Sequence, residues 1–247
     1  MVQGTGKRGE IFQLPRNYTG NSSPLYRAGA YRMPHVAIVG AGPAGASLAW
    51  LLSSRGIETT LVERRRDFDR EFRGEVLMPS GVDALEQLGL SDVLDTVPTR
   101  AVTRIASYLN GHELITQDTR QIADPAFRVI AVSQTALLEA IVELASNNPS
   151  FTFIRGASVK SLTREQGRAN GLNLRIDDQD TDLRADLVIG ADGRHSVVRR
   201  QAGLGLAHAR PPKDVVWCKL PRPEGWEGGR IFVGRGHQQI SYHTRDD

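Results

Sequence analysis

Three glycines at fixed spacing, in the run Gly40-Ala41-Gly42-Pro43-Ala44-Gly45, are answered at Glu63 by a carboxylate 23 positions beyond the first of them. Residues of these types in this order can hold a diphosphate and a sugar. Gly40 permits a tight turn, Gly42 lets backbone approach a pyrophosphate where a side chain would collide, and Gly45 allows close packing of the helix that follows. Pro43 suits a first helical turn, where its missing N–H costs nothing. The unpaired N–H groups of that turn and the positive end of the helix dipole form an anion site. Glu63 can accept hydrogen bonds from ribose hydroxyls. The pattern points to a dinucleotide with an ADP portion.

The elements that must position these residues are written around them. Residues 35–39 are apolar enough for a strand buried on both faces, as parallel sheets require. An apolar helix follows the glycines, and Thr60-Leu61-Val62-Glu63 makes a second strand ending in the acid. In a chain with 25 glycines a Gly-rich turn alone is weak, and a merely structural strand-helix-strand turn is the alternative. The strand before, the helix after and the acid at the proper distance are the context that confirms the fingerprint.

With 247 residues, 40% of them apolar and 24% charged, the chain can bury a sizeable core as one large domain or two small ones. Its longest apolar run is broken by Ser53, Ser54 and Arg55, too short for an integral membrane segment. The single cysteine, Cys218, can form no internal disulfide and has no neighbouring metal ligand, so no metal site is expected. Cys218 reads as a small buried apolar residue, and a reducing, cytoplasmic compartment is the default. The net charge of +3 is concentrated in residues 1–33, which carry +4, leaving the remainder at −1. With no interleaving of basic and aromatic residues, nucleic acid is not an expected partner. Residues 1–33 lack hydrophobic periodicity and are expected to form a disordered extension, with Met33 as the natural start.

Beyond Glu63 come Arg64-Arg65-Arg66 and a charged loop ending in Phe72-Arg73-Gly74-Glu75. Ser80 is read as the cap of a helix over 81–88. Residues 101–116 read as a hairpin turned at Asn110-Gly111. Ser133 or Gln134 starts a Leu-rich helix through Ala145, and strands follow near 151–154, 158–163 and 172–176. Leu187-Val188-Ile189 then enters the turn Gly190-Ala191-Asp192-Gly193, with Ser196 capping a short basic helix. A second strand-to-helix crossing thus reaches the sheet edge where doubly wound folds hold cofactors.

Four segments together, namely the Gly40–Gly45 turn with Glu63, Arg73-Gly74-Glu75 before Pro79-Ser80-Gly81, Gln134-Thr135 ahead of a Leu-rich helix, and Asp192-Gly193, resemble the FAD-dependent monooxygenases of the aromatic hydroxylase class. The resemblance runs from about Pro34 to Gln201. It implies an α/β fold, a Rossmann-like doubly wound FAD-binding domain with a partial β-rich substrate domain. It further implies FAD as cofactor and NAD(P)H as transient reductant, with one oxygen delivered to an aromatic or other electron-rich small molecule. Gly40, Ala41, Gly42, Pro43, Ala44 and Gly45 would bind the pyrophosphate, and Glu63 with neighbouring Arg64 the adenosine side. Arg73 and Gln134 would contact the ribose-phosphate portion. Asp192 and Gly193 would face the cofactor crevice. No side chain is assigned to catalysis.

The family also has a late Gly-Asp pair that holds the ribityl chain, and no Gly-Asp dipeptide occurs in this sequence. The expectation is therefore a truncated chain. Its cofactor domain would comprise 34–100, 130–163 and 184–205, and its partial substrate domain 101–129 and 206–247. Two other functions stay open, a flavin-dependent reductase or dehydrogenase of a lipid or isoprenoid, and a non-catalytic FAD-binding fragment. Trp217 and Trp226 read as packing residues and His195 as solvent-facing. Substrate identity and oligomeric state are unspecified.

Overall fold

The computed structural model describes residues 33–69, 75–122, 127–205 and 215–243. At its centre is β1 (Val36–Val39), all four residues buried. Parallel to it run β2 (Thr59–Glu63) on one side and β12 (Leu187–Gly190) on the other, and β8 (Phe151–Arg155) continues in parallel beyond β2. The sheet order is β12-β1-β2-β8. Alternation along a strand sends successive side chains to opposite faces, and both faces of β1 are apolar. Val36 and Ile38 join one core, Ala37 and Val39 another.

The first core is closed by helices α1 (Pro43–Ser53) and α4 (Gln134–Ser146), with α2 (Pro79–Gln87) and α3 (Val93–Thr96) beside them. On α4, Leu137, Leu138, Ile141, Val142 and Ala145 recur at helical spacing and are buried, and the Ser133 hydroxyl accepts from the Ala136 N–H at 3.4 Å as its cap. The second core is closed by an antiparallel meander of β9 (Ser158–Glu165), β10 (Arg168–Ile176) and β11 (Gln179–Arg184), whose Leu172 and Leu174 pack against Ala37, Val39 and Val62. Residues 164–183, outside both sequence-assigned domains, thereby cover the cofactor sheet. Helix α5 (Val197–Gln201) follows β12.

Two further sheets complete the described residues. The short strands β3 (Val76–Leu77), β7 (Ile130–Val132) and β4 (Thr99–Ala101) pair antiparallel in that order. The hairpin β5 (Arg104–Leu109) and β6 (His112–Asp118), turned by Asn110 at φ 48° and Gly111 at φ 87°, is extended by β13 (Gly229–Gly234) and β14 (His237–Tyr242) in the order β14-β13-β5-β6. Positive φ at both turn residues is what a two-residue hairpin demands.

Several local expectations are corrected. Helix α2 begins at Pro79 with Met78 in the cap position, because Pro supplies the helical φ of a first turn, so Ser80 lies inside the helix. Ala101 leaves the hairpin and pairs with Ile130. Strand β11 was missed because Gln179-Asp180-Thr181-Asp182 shows no apolar alternation. Pairing with β10 at the sheet edge, where its other side meets water, forms it instead. Residues 215–220 form no strand, and Cys218 is exposed rather than buried. The expected extension at 1–33 falls outside the described residues except for Met33. No helix among the described residues is long and apolar enough to cross a membrane.

Leu172 has no exposed surface, so Leu172→Ala should leave a cavity between the meander and the parallel sheet. The expected loss is about 2–5 kcal/mol in urea denaturation. A loss below 1 kcal/mol would show that the meander is not part of the cooperative core.

Candidate cofactor-binding site

The two glycine turns leave the carboxyl ends of adjacent strands and touch. Val39 pairs with Gly190, the Ala191 N–H donates to Val39 O at 2.7 Å, and the Gly40 N–H donates to Val62 O at 2.8 Å. Gly40 has φ +98°, and a Cβ there would lie 2.5 Å from the Ala191 oxygen and 2.9 Å from Asp192 Cα. Conformation and space both require glycine. At Gly45 a Cβ would stand 1.9 Å from the Gly40 oxygen, so this glycine lets the first turn of α1 close over the loop. Gly42 occupies the N-cap in extended conformation, no side chain caps the helix, and Pro43 and Ala44 are exposed. The first-turn N–H groups have no intrahelical acceptor and lie at the carboxyl edge of the sheet.

Glu63 is buried to 6% exposure, and its carboxylate is held by backbone. Its Oε2 accepts from the Ala41 N–H at 2.9 Å and its Oε1 from the Arg65 N–H at 3.1 Å. A buried charge requires such partners, and here they tie the glycine turn to the end of β2. Next in register stands Arg155, whose guanidinium makes two hydrogen bonds to Glu139 at 2.9 and 2.5 Å. These bonds, above all, raise its pKa and keep it charged. The same guanidinium stacks over Phe68 at 4.9 Å and Phe153 at 4.7 Å, while the Thr135 hydroxyl donates to Phe68 O at 2.9 Å. The loop after Glu63 is anchored from below by these contacts. Sequence reading passed over Arg155 and Glu139, since no short spacing links them; the signal was Phe68, an apolar residue alone among charges. Arg64 is exposed and makes no ion pair among the described residues, whereas Arg66 pairs with Asp177.

On the second turn, Gly193 is exposed at φ +79° and His195 is exposed. The Asp192 backbone lies against Gly40, but its carboxylate turns toward α5: Oδ1 accepts from Ser196 Oγ at 2.5 Å and Oδ2 from the Val197 N–H at 2.6 Å. Ser196 Oγ in turn accepts from the Arg199 N–H at 2.9 Å, as the sequence led us to expect of a cap. Gln134, the first residue of α4, is half-buried and makes no side-chain hydrogen bond among the described residues. Arg73 lies outside the described residues. No group of residues able to hold a metal occurs among the described ones.

Residues 33–219 match the family model described as FAD binding domain. The chain belongs to that family. It is 36% identical over 216 residues to 6-methylpretetramide 4-monooxygenase of Streptomyces rimosus, an alignment covering 86% of this chain and 51% of the relative. It is 34% identical over 217 residues to 3-amino-4-hydroxybenzoate 2-monooxygenase of Streptomyces cremeus, covering 78% and 50%. The chain thus spans about half the length of these curated relatives. Among solved structures, PqsL of Pseudomonas aeruginosa superposes with a TM-score of 0.66 at 24% identity, covering 85% of this chain and 57% of that one, which shows the shared fold.

The residues present fit FAD. An uncapped helix N-terminus suits a diphosphate, backbone that excludes a Cβ at Gly40 and Gly45 shapes the turn, and a buried carboxylate ends the adjacent strand.

Gly45→Ala should lower the denaturation midpoint by an amount worth about 1–3 kcal/mol, since the clash is with backbone. Glu63→Gln should weaken FAD binding by about 1.5–3 kcal/mol in a flavin-fluorescence titration. An unchanged titration would confine Glu63 to bracing the turn. For Asp192→Ala the loss of its bonds to Ser196 Oγ and the Val197 N–H at the start of α5 predicts about 0.5–2 kcal/mol of stability. Retention of full stability would show that these Asp192 bonds contribute nothing.

Proposed function

We propose that this chain holds the ADP portion of FAD along β1, α1 and β2, and that its activity is that of a flavin-dependent monooxygenase acting on an aromatic small molecule. The observation that carries the reading is the 36% identity to a monooxygenase across 86% of this chain. In the proposed reaction NAD(P)H, a proton, dioxygen and substrate give NAD(P)⁺, water and hydroxylated product. Bound FAD supplies the electron transfer and oxygen activation that side chains cannot.

The chain's own residues bind and orient. Gly40, Ala41, Gly42, Pro43, Ala44 and Gly45 give the pyrophosphate backbone N–H groups and the helix dipole. Glu63, already fixed by Ala41 and Arg65, meets the ribose, and exposed Arg64 lies beside it for the adenosine side. Gln134 and Arg73 approach the ribose-phosphate. Gly193 keeps the facing turn free of side chain, and Asp192 serves it by fixing α5. In this reading the cofactor part comprises 34–100, 130–163 and 184–205, the substrate part 101–129 and 206–247, and the compartment is cytoplasmic.

Reconstitution tests it. The purified protein with FAD should show a bound-flavin visible spectrum, and a substrate should stimulate NAD(P)H oxidation with label from isotopic dioxygen entering the product. Product formed without dioxygen would overturn the reading in favour of a flavin-dependent reductase.

A further inference from the structure

Strands β2 and β8 end together at the carboxyl edge of the parallel sheet, with Glu63 and Arg155 directly opposite in register. After Glu63 the chain runs through the exposed residues Arg64-Arg65-Arg66-Asp67 before it is buried again at Phe68. From that exposed run the Arg65 N–H reaches back to Glu63 Oε1 at 3.1 Å. One of the bonds that orient the Glu63 carboxylate therefore depends on where this short loop lies. Another, from the Ala41 N–H, belongs to the glycine turn.

Arg155 meets that loop at several points. Phe153 and Arg155, alternate residues of β8, face the same way, and the guanidinium folds over the Phe153 ring at 4.7 Å and the Phe68 ring at 4.9 Å. Those two rings stack with centroids 6.1 Å apart at 13°. Arg155 Nη1 donates to Arg66 O at 3.4 Å, and the paired bonds to Glu139 turn its fork toward α4. The N–H of the next residue, Gly156, donates to Arg65 O at 3.2 Å. Planarity lets a guanidinium stack on rings and pair with a carboxylate at once, which a lysine ammonium does not reproduce. The ion pair itself is partly exposed, 33% at Arg155 and 42% at Glu139, and such pairs contribute little to stability. What the arrangement does fix is the backbone of residues 65–68 beside Glu63.

We propose that Arg155 is a positioning residue for the cofactor: by holding residues 65–68 it aims the Arg65 N–H at Glu63, and so keeps the Glu63 carboxylate turned to accept from both hydroxyls of the adenosine ribose. Arg155 acts through the loop and Glu63 rather than on the nucleotide itself. Its effect is selectivity for the ribose diol, while the diphosphate is held by the glycine turn and the first turn of α1. The proposal rests on the ribose role given to Glu63 above.

Calorimetric titration of the purified protein with ADP, with 2′,3′-dideoxy-ADP and with inorganic pyrophosphate tests this role. The unsubstituted protein is expected to bind ADP about tenfold more tightly than the dideoxy analogue, in line with hydrogen bonds to a charged group. Arg155→Met keeps the length of the side chain without its guanidinium, and should cut that preference to about twofold or less with pyrophosphate affinity unchanged. Glu139→Gln, which removes the charge of the pair, should lower the preference by about threefold, and decides the matter if Arg155→Met fails to fold. A full preference that survives these substitutions overturns the proposal. So does an equal loss of affinity for ADP, its dideoxy analogue and pyrophosphate, the mark of a merely structural role. An unsubstituted protein that does not distinguish ADP from the dideoxy analogue overturns the ribose role of Glu63, and the proposal with it.

Discussion

The contact of two backbone turns across the carboxyl ends of β1 and β12 is what the rest of the structure depends on. A Cβ on Gly40 would come within 2.5 Å of the Ala191 oxygen. Such an approach demands that the two strands be neighbours in register, and therefore that the roughly 150 residues between the turns fold back upon the sheet. The helices on one face and the meander on the other are where that length goes. Both bury apolar side chains supplied by the alternation of β1.

The same crevice sets the electrostatics. Two carboxylates, Glu63 and Asp192, stand near the turns, and each accepts backbone N–H groups, Asp192 the Ser196 hydroxyl as well. Glu63 braces the glycine turn, and Asp192 braces the helix after the second turn. The positive end of α1 is left without a side-chain cap, so an anionic ligand there meets unpaired donors without displacing a protein group. Backbone bonds to Glu63 tie the glycine turn to the end of β2. Arg155, between Glu139 and two phenylalanine rings, anchors Phe68 of the loop beyond Glu63.

Much of the fold and the turn chemistry was legible because it is local. Residues 40–45, Glu63, the Ser133 and Ser196 caps and the Asn110-Gly111 turn each depend on backbone conformations imposed within a few residues. What escaped depends on partners distant in sequence. Strand β11 is polar and exists by pairing with β10. Ala101 was assigned to the nearer hairpin because Ile130 lies far along the chain. Cys218 was placed inside on residue type, although burial is decided by neighbours and its segment lies exposed.

The sequence by itself determined that a strand, a glycine turn and a helix would present an anion site with an acid at the end of the next strand, because these features follow from φ, ψ and alternation. Only the tertiary structure decided what each charged group does there. Asp192 was expected at the crevice and its carboxylate is committed to α5, because Ser196 and the first-turn N–H of α5 lie within reach. Trp226, read as packing, packs against Phe232 and beneath Arg230 on a half-exposed face, partners that lie apart from it in sequence. Side-chain partners are fixed by distance in space, which spacing along a chain does not encode.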